Sequence, residues 1–211
     1  GTSVDVRIID GSYVDDLIMK MINGMELVGP NHDESWLAQQ LLMERPYWKA
    51  TGVRGVCLEE GTPIYPGAFN PPHAGHIAIR DATQSVFSIE TAPPHKGSLS
   101  VTDTLKRLKL LRGNNVLLTR GAALNVDKSN MFPGHQLVMG ADAVIRMFDP
   151  CWGPSPQEIA ARLIENDTKL VIFGRYIDGE WISAESACKL VPTGVACECV
   201  AGRWDVSSSE I

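Results

Sequence analysis

Two histidines three residues apart, His73 and His76, sit in the run Gly67-Ala68-Phe69-Asn70-Pro71-Pro72-His73-Ala74-Gly75-His76. Imidazole suits a phosphate near neutral pH, because it can meet the anion as a neutral donor or as a cation. A spacing of three puts both rings on one face if the run opens a helix. The first turn of a helix also carries unpaired N–H groups and the positive end of the macrodipole, and both favour an anion. Gly67 allows the backbone to approach a ligand closely. The combination describes a site for a nucleoside triphosphate.

The elements that must position this run are legible around it. The apolar strand Thr62-Pro63-Ile64-Tyr65 precedes it, and the segment from Ile77 to Val86 reads as the body of a helix. Further along, apolar runs at 85–90, 115–119, 136–140 and 169–174 read as strands. Helical patterns at 74–84, 101–112, 141–148 and 156–166 lie between or after them. Strands separated by helices imply βαβ units. The expected fold class is therefore α/β, a Rossmann-like parallel sheet flanked by helices, over residues 61–211. In such sheets a ligand sits beyond the carboxyl ends of the strands, which is where Gly67 and Gly140 fall.

Residues 1–60 read as a separate, mainly helical appendage. Val4, Val6 and Ile8 alternate as in a short strand. Ser12, with Asp15 three residues on, caps a helix carrying Tyr13, Val14, Leu17, Ile18, Met21, Ile22 and Met25, and Gly29-Pro30 ends it. A second helix starts at Asn31 or Asp33, carries Trp36, Leu37, Leu41 and Leu42, and stops near Pro46. These amphipathic elements carry no chemistry of their own. Packing on the main domain, on a partner or on a second copy in a homo-oligomer would each account for them.

The totals narrow the class. With 211 residues and 44% hydrophobic content the chain can bury an ordinary core. A net charge of −6 argues against nucleic acid as a partner. Cys57, Cys151, Cys188, Cys197 and Cys199 form no C-x-x-C pair, so reduced thiols in a cytoplasmic protein are expected rather than a zinc site. In a strand, Cys197 and Cys199 would point the same way. No apolar run is long enough to span a bilayer, so no membrane association is expected.

The histidine run also resembles a known family. Gly67-x-Phe69-Asn70-Pro71-x-His73-x-Gly75-His76 is similar to the signature of the H-x-G-H nucleotidylyltransferases. Its Phe-Asn-Pro lead-in is most similar to the nicotinamide/nicotinate mononucleotide adenylyltransferase branch. Three further runs follow in that family's order: Pro93-Pro94-His95-Lys96, Gly140-Ala141-Asp142-Ala143, and Val206-Ser207-Ser208-Ser209-x-Ile211. The last resembles a closing Ile-Ser-Ser-Thr-x-Ile-Arg motif, whose basic residue would fall just after Ile211. The similarity covers roughly residues 62–211. Between Thr119 and His135 the chain departs from the branch's Ser/Tyr/Thr-containing acceptor loop.

The resemblance implies transfer of AMP from ATP to a phosphorylated nucleotide-like acceptor, such as nicotinamide or nicotinate mononucleotide in NAD biosynthesis, with release of pyrophosphate. His73 and His76 would be catalytic and meet the triphosphate, with His76 stabilising the α-phosphate. Gly67, Ala68, Phe69, Asn70 and Gly75 would line the nucleotide. Gly140 would allow close approach, Asp142 would accept from ribose hydroxyls, and Ser207, Ser208 and Ser209 would bind phosphate. Mg²⁺ would be held mainly by the phosphates, with no protein metal site. Each residue also has a plainer reading: Asp142 as a carboxylate at a helix start, the serines as a polar tail, Lys96 as a solvated turn residue rather than a phosphate or acceptor contact. Arg120 and Arg175 each follow a strand and are expected at the surface. Competing functions are a cytidylyltransferase acting on a phosphorylated alcohol and a nucleotide-binding module without turnover. A class I aminoacyl-tRNA synthetase fragment ranks behind them, because no Lys-Met-Ser-Lys-Ser-like loop is present.

Overall fold

The computed structural model describes residues 25–28, 61–92, 97, 99–111, 114–119 and 124–202. In chain order the elements are β1 (Met25–Val28), β2 (Pro63–Pro66), α1 (Ala74–Thr83), β3 (Val86–Glu90), α2 (Val101–Leu110), β4 (Val116–Thr119), α3 (Asn125–Met131), β5 (Gln136–Gly140) and α4 (Ala141–Met147). A 3₁₀ turn at Pro150–Trp152 leads to α5 (Pro156–Glu165), β6 (Lys169–Phe173), the hairpin β7 (Arg175–Ile177) and β8 (Glu180–Ile182), α6 (Ala184–Cys188) and β9 (Cys197–Val200).

The main sheet runs β1-β4-β3-β2-β5-β6-β9, and six of its seven strands are parallel. Counting only the parallel strands in chain order, this is 3-2-1-4-5-6, the Rossmann-like α/β arrangement. The order reverses between β2 and β5. The helices that follow these two strands pack on opposite faces of the sheet, the arrangement that in open α/β sheets makes the switch point the usual place for a ligand.

The alternation of side chains along each strand explains the layers. On one face Tyr65, Phe87, Ile89, Val116, Leu118, Val138, Val171 and Phe173 pack with Ile79 of α1 and Leu108 of α2. On the other, Ile64, Leu117, Leu137, Met139, Leu170 and Ile172 pack with Val126 of α3, Val144 of α4, Leu163 of α5 and Ala187 of α6. Strands buried on both faces read as continuous apolar runs rather than alternating ones, as these do. Local signals start the helices. Ser100 accepts from the Asp103 N–H at 3.0 Å, and Ser155 with Glu158 forms a capping box ahead of Pro156.

The five strands and four helices expected between residues 62 and 174 are present, each within about two residues of its expected ends. One expectation fails. Met25, placed by helical periodicity at the end of a capped helix, begins a strand: Met25–Val28 pairs antiparallel with β4, Met25 opposite Thr119 and Val28 opposite Val116. Met, Glu, Leu and Val fit either period over so short a run, and the open edge of β4 supplies the hydrogen bonds that decide it. The remaining expectations for residues 1–60 lie outside the described residues. Among the described residues no helix is long and apolar enough to cross a membrane.

Candidate functional site

The histidine run leaves β2 at the switch point. Gly67 extends the strand pairing by donating its N–H to the Ser88 carbonyl at 3.0 Å. Phe69 then takes a left-handed conformation, φ 46°, and folds its ring back over Gly67. A Cβ on Gly67 would lie 2.6 Å from the Phe69 ring, so only glycine fits beneath it. That ring packs edge-on against Tyr65, Phe87 and His76 at centroid distances of 5.3, 4.8 and 5.1 Å. Arg107 at the end of α2 donates to the Ala68 carbonyl at 3.0 Å. The turn is held from both sides, while Ala68 and Asn70 stay exposed.

His73 is the N-cap of α1 and His76 its third residue. The Nδ1 of His76 accepts the His73 backbone N–H at 3.2 Å, doing what a glutamate or glutamine does in a capping box. With Nδ1 accepting, a neutral His76 carries its proton on Nε2. The two rings stack at 3.6 Å and 28°. Both are buried, and neither ring nitrogen of His73 has a hydrogen-bond partner among the described residues. A buried imidazole with two unpaired nitrogens has hydrogen-bonding capacity left for a group that enters the turn. Gly75, between the histidines, is buried under the same turn.

The second wall comes from β5 and β6. Gly140 caps α4, and a Cβ there would fall 2.6 Å from Asp142 Oδ1 and 2.7 Å from Arg175 Cγ. The Asp142 carboxylate is already engaged. Arg146 Nη2 lies 2.6 Å from its Oδ2, and Arg175 Nε lies 3.7 Å from its Oδ1. Asp142 thus stands in the first turn of α4 with two arginines against its carboxylate, and one of them is Arg175.

Arg175 is the residue that sequence reasoning undervalued. It is half-buried rather than free at the surface, and its charge reaches the imidazoles. Burial, then the Arg175 cation, holds His73 below its ordinary pKa. Burial, His73 and Arg175 together push His76 down to about 3. Burial likewise raises Tyr65, partly offset by Arg175. A signal for Arg175 did exist in the sequence. Asp178-Gly179 makes a two-residue turn with φ 50° and 85°, pairing Arg175 with Ile182. Gly174 lets Trp181 close against it, since a Cβ there would meet that ring at 2.4 Å. The hairpin thus fixes the arginine at the carboxyl end of β6.

Two loops separated by some seventy residues, 67–76 and 140–142, therefore leave neighbouring parallel strands at the same end of the sheet, where the Arg175 charge acts on the histidines. Lys96, Ser207, Ser208, Ser209 and Arg120 lie outside the described residues. Among the described residues no group of three or more histidine, cysteine, aspartate or glutamate side chains is placed to hold a metal ion. Neutral imidazole N–H, guanidinium and helix N–H groups are donors that suit an anion. No family model matches this chain, and no curated protein or solved structure matches it either.

Proposed function

We propose that the chain is a nucleotidylyltransferase of the H-x-G-H kind, transferring AMP from ATP to a phosphorylated, nucleotide-like acceptor. The observation that carries this reading is the stacked, buried His73–His76 pair, with both ring nitrogens of His73 unpaired among the described residues, at the N-terminus of α1 and at the switch point of the sheet.

In the reaction an oxygen of the acceptor phosphate attacks the α-phosphorus in line, and the bond to the bridging oxygen breaks to release pyrophosphate. Such transfers need positioning and charge stabilisation rather than a covalent intermediate. The Nε2–H of His76 would donate to a non-bridging α-phosphate oxygen as charge builds there. His73 would donate to the neighbouring phosphate, and the first-turn N–H groups of Ala74 and Gly75 would add to the anion site. Arg175 supplies the fixed positive charge. Mg²⁺ would arrive on the triphosphate, where it neutralises charge on the leaving group.

The nicotinamide or nicotinate mononucleotide acceptor is the first to test. Pyrophosphate release would be measured with ATP and, separately, CTP in the presence of Mg²⁺. Each donor would be run against nicotinamide mononucleotide, nicotinate mononucleotide, phosphopantetheine and phosphorylated alcohols. Release with ATP and a mononucleotide supports the proposal, and release only with CTP and an alcohol replaces it with the cytidylyltransferase reading. ATP binding without release from any pair would leave a binding module.

A further inference from the structure

A second chemical cluster lies at the far edge of the sheet, away from the histidines. Cys188 ends α6, and Cys197 and Cys199 lie on β9, the edge strand that pairs with β6. The Sγ atoms of Cys188 and Cys199 are 3.0 Å apart. Both are half-buried and pack against the apolar cluster beneath α4 to α6, whereas Cys197 is exposed. A disulfide brings its sulfurs to about 2.05 Å, so a closing movement of about 1 Å is all that separates the pair from a bond. The three thiols are not arranged to hold a metal ion, which leaves sulfur–sulfur chemistry as what the juxtaposition can do.

We propose that Cys188 and Cys199 are a redox modification site, closing reversibly to a disulfide that ties α6 to the edge strand β9. With glutathione disulfide as oxidant the step balances. One protein thiolate attacks a glutathione sulfur and expels glutathione. The second protein thiolate attacks the protein sulfur of the mixed disulfide and expels another glutathione. The two cysteines lose two electrons and two protons, and the oxidant gains both. Burial, then the neighbouring Cys199 and Cys197 thiols, push the Cys188 pKa up. The closed loop would clamp α6, which packs with α4, to a strand that otherwise has one free edge.

The test uses the full chain, incubated with excess glutathione disulfide, digested with trypsin without reduction and mapped by mass spectrometry. Cleavage after Lys189 separates peptide 176–189, which holds Cys188, from peptide 190–203, which holds Cys197 and Cys199. The expected product is a cross-link between these two peptides that is lost on reduction with dithiothreitol. It should persist in Cys197→Ser and in Cys151→Ser and be absent from Cys188→Ser and Cys199→Ser. Glutathionylation of Cys197 or Cys151 with no cross-link in the wild-type chain would overturn the proposal. So would a cross-link that survives Cys199→Ser but is lost in Cys197→Ser.

Discussion

The Arg175 side chain lies against Asp142 across the Gly140 turn, Nε to Oδ1 at 3.7 Å, and its charge depresses the pKa of both His73 and His76. One residue at the end of β6 therefore adds, behind burial, to the electrostatics of a motif that leaves β2. An incoming triphosphate would meet a guanidinium whose partner carboxylate is shared with Arg146. Fixed positive charge beside neutral imidazoles is what the proposed triphosphate would need.

Arg175→Ala should weaken ATP binding by about 10- to 100-fold, the scale of one charge-assisted hydrogen bond. The same change should move the His76 titration upward, because a neighbouring cation is removed. Titration calorimetry reads the first effect, and histidine NMR reads the second. An arginine that only decorates the surface would alter neither.

His76→Ala should lower turnover by about 10²- to 10³-fold, as for loss of a donor to the transition-state oxyanion. The ring also packs on Phe69 and caps α1, so a loss of about 1–2 kcal/mol in stability is expected alongside. Steady-state pyrophosphate release and thermal unfolding separate the two effects. Unchanged turnover would remove His76 from the reaction.

The two glycines should fail differently. Gly67→Ala drives a Cβ into the Phe69 ring, which the aromatic cluster holds in place, and should cost about 2–3 kcal/mol of stability. Gly140→Ala meets the partly exposed Asp142 and Arg175 side chains, which can change rotamer, and comes within 3.2 Å of the Phe173 ring. It should cost only about 1 kcal/mol while displacing Arg175 and weakening nucleotide binding. Denaturant unfolding and ATP titration of the two variants would test the contrast.

Stability should fall in mild acid. His76 is held neutral in the fold, with a pKa of about 3 against 6.5 for a free histidine. His73 is lowered in the same direction. Between those values the unfolded chain binds more protons than the native one, so unfolding becomes easier as pH drops. The His76 contribution is intact above about 6.5 and declines from there toward 3, by up to about 1.4 kcal/mol per pH unit. Urea denaturation at intervals from pH 7 to pH 4 should show a shallower decline in His76→Gln. Equal slopes in both chains would mean that the buried imidazole is not the source.

Much of the site could be read in one dimension because its parts are contiguous. A strand, a glycine turn and a helix start with two histidines form a single local unit, and each piece is set by short-range sterics and capping. The apolar runs of β2 to β6 and the capping serines of α2 and α5 carried the sheet and its helices in the same way. The misread residue was Met25, in a stretch too short for periodicity to separate helix from strand. The Asp-Gly hairpin at 178–179 was legible but passed over, and with it the place of Arg175.

By itself the sequence determined the α/β alternation, the buried strands and the two histidines at the helix start that follows β2, since these follow from local propensity and pattern. Tertiary structure decided what pattern cannot encode. The order of the strands sets β5 and β6 beside β2, which brings Gly140, Asp142 and Arg175 to the histidines. It also sets α6 against β9, which brings Cys188 to Cys199. Strand order is a choice among long-range pairings made by packing both faces of the whole sheet, and no window of neighbouring residues contains it.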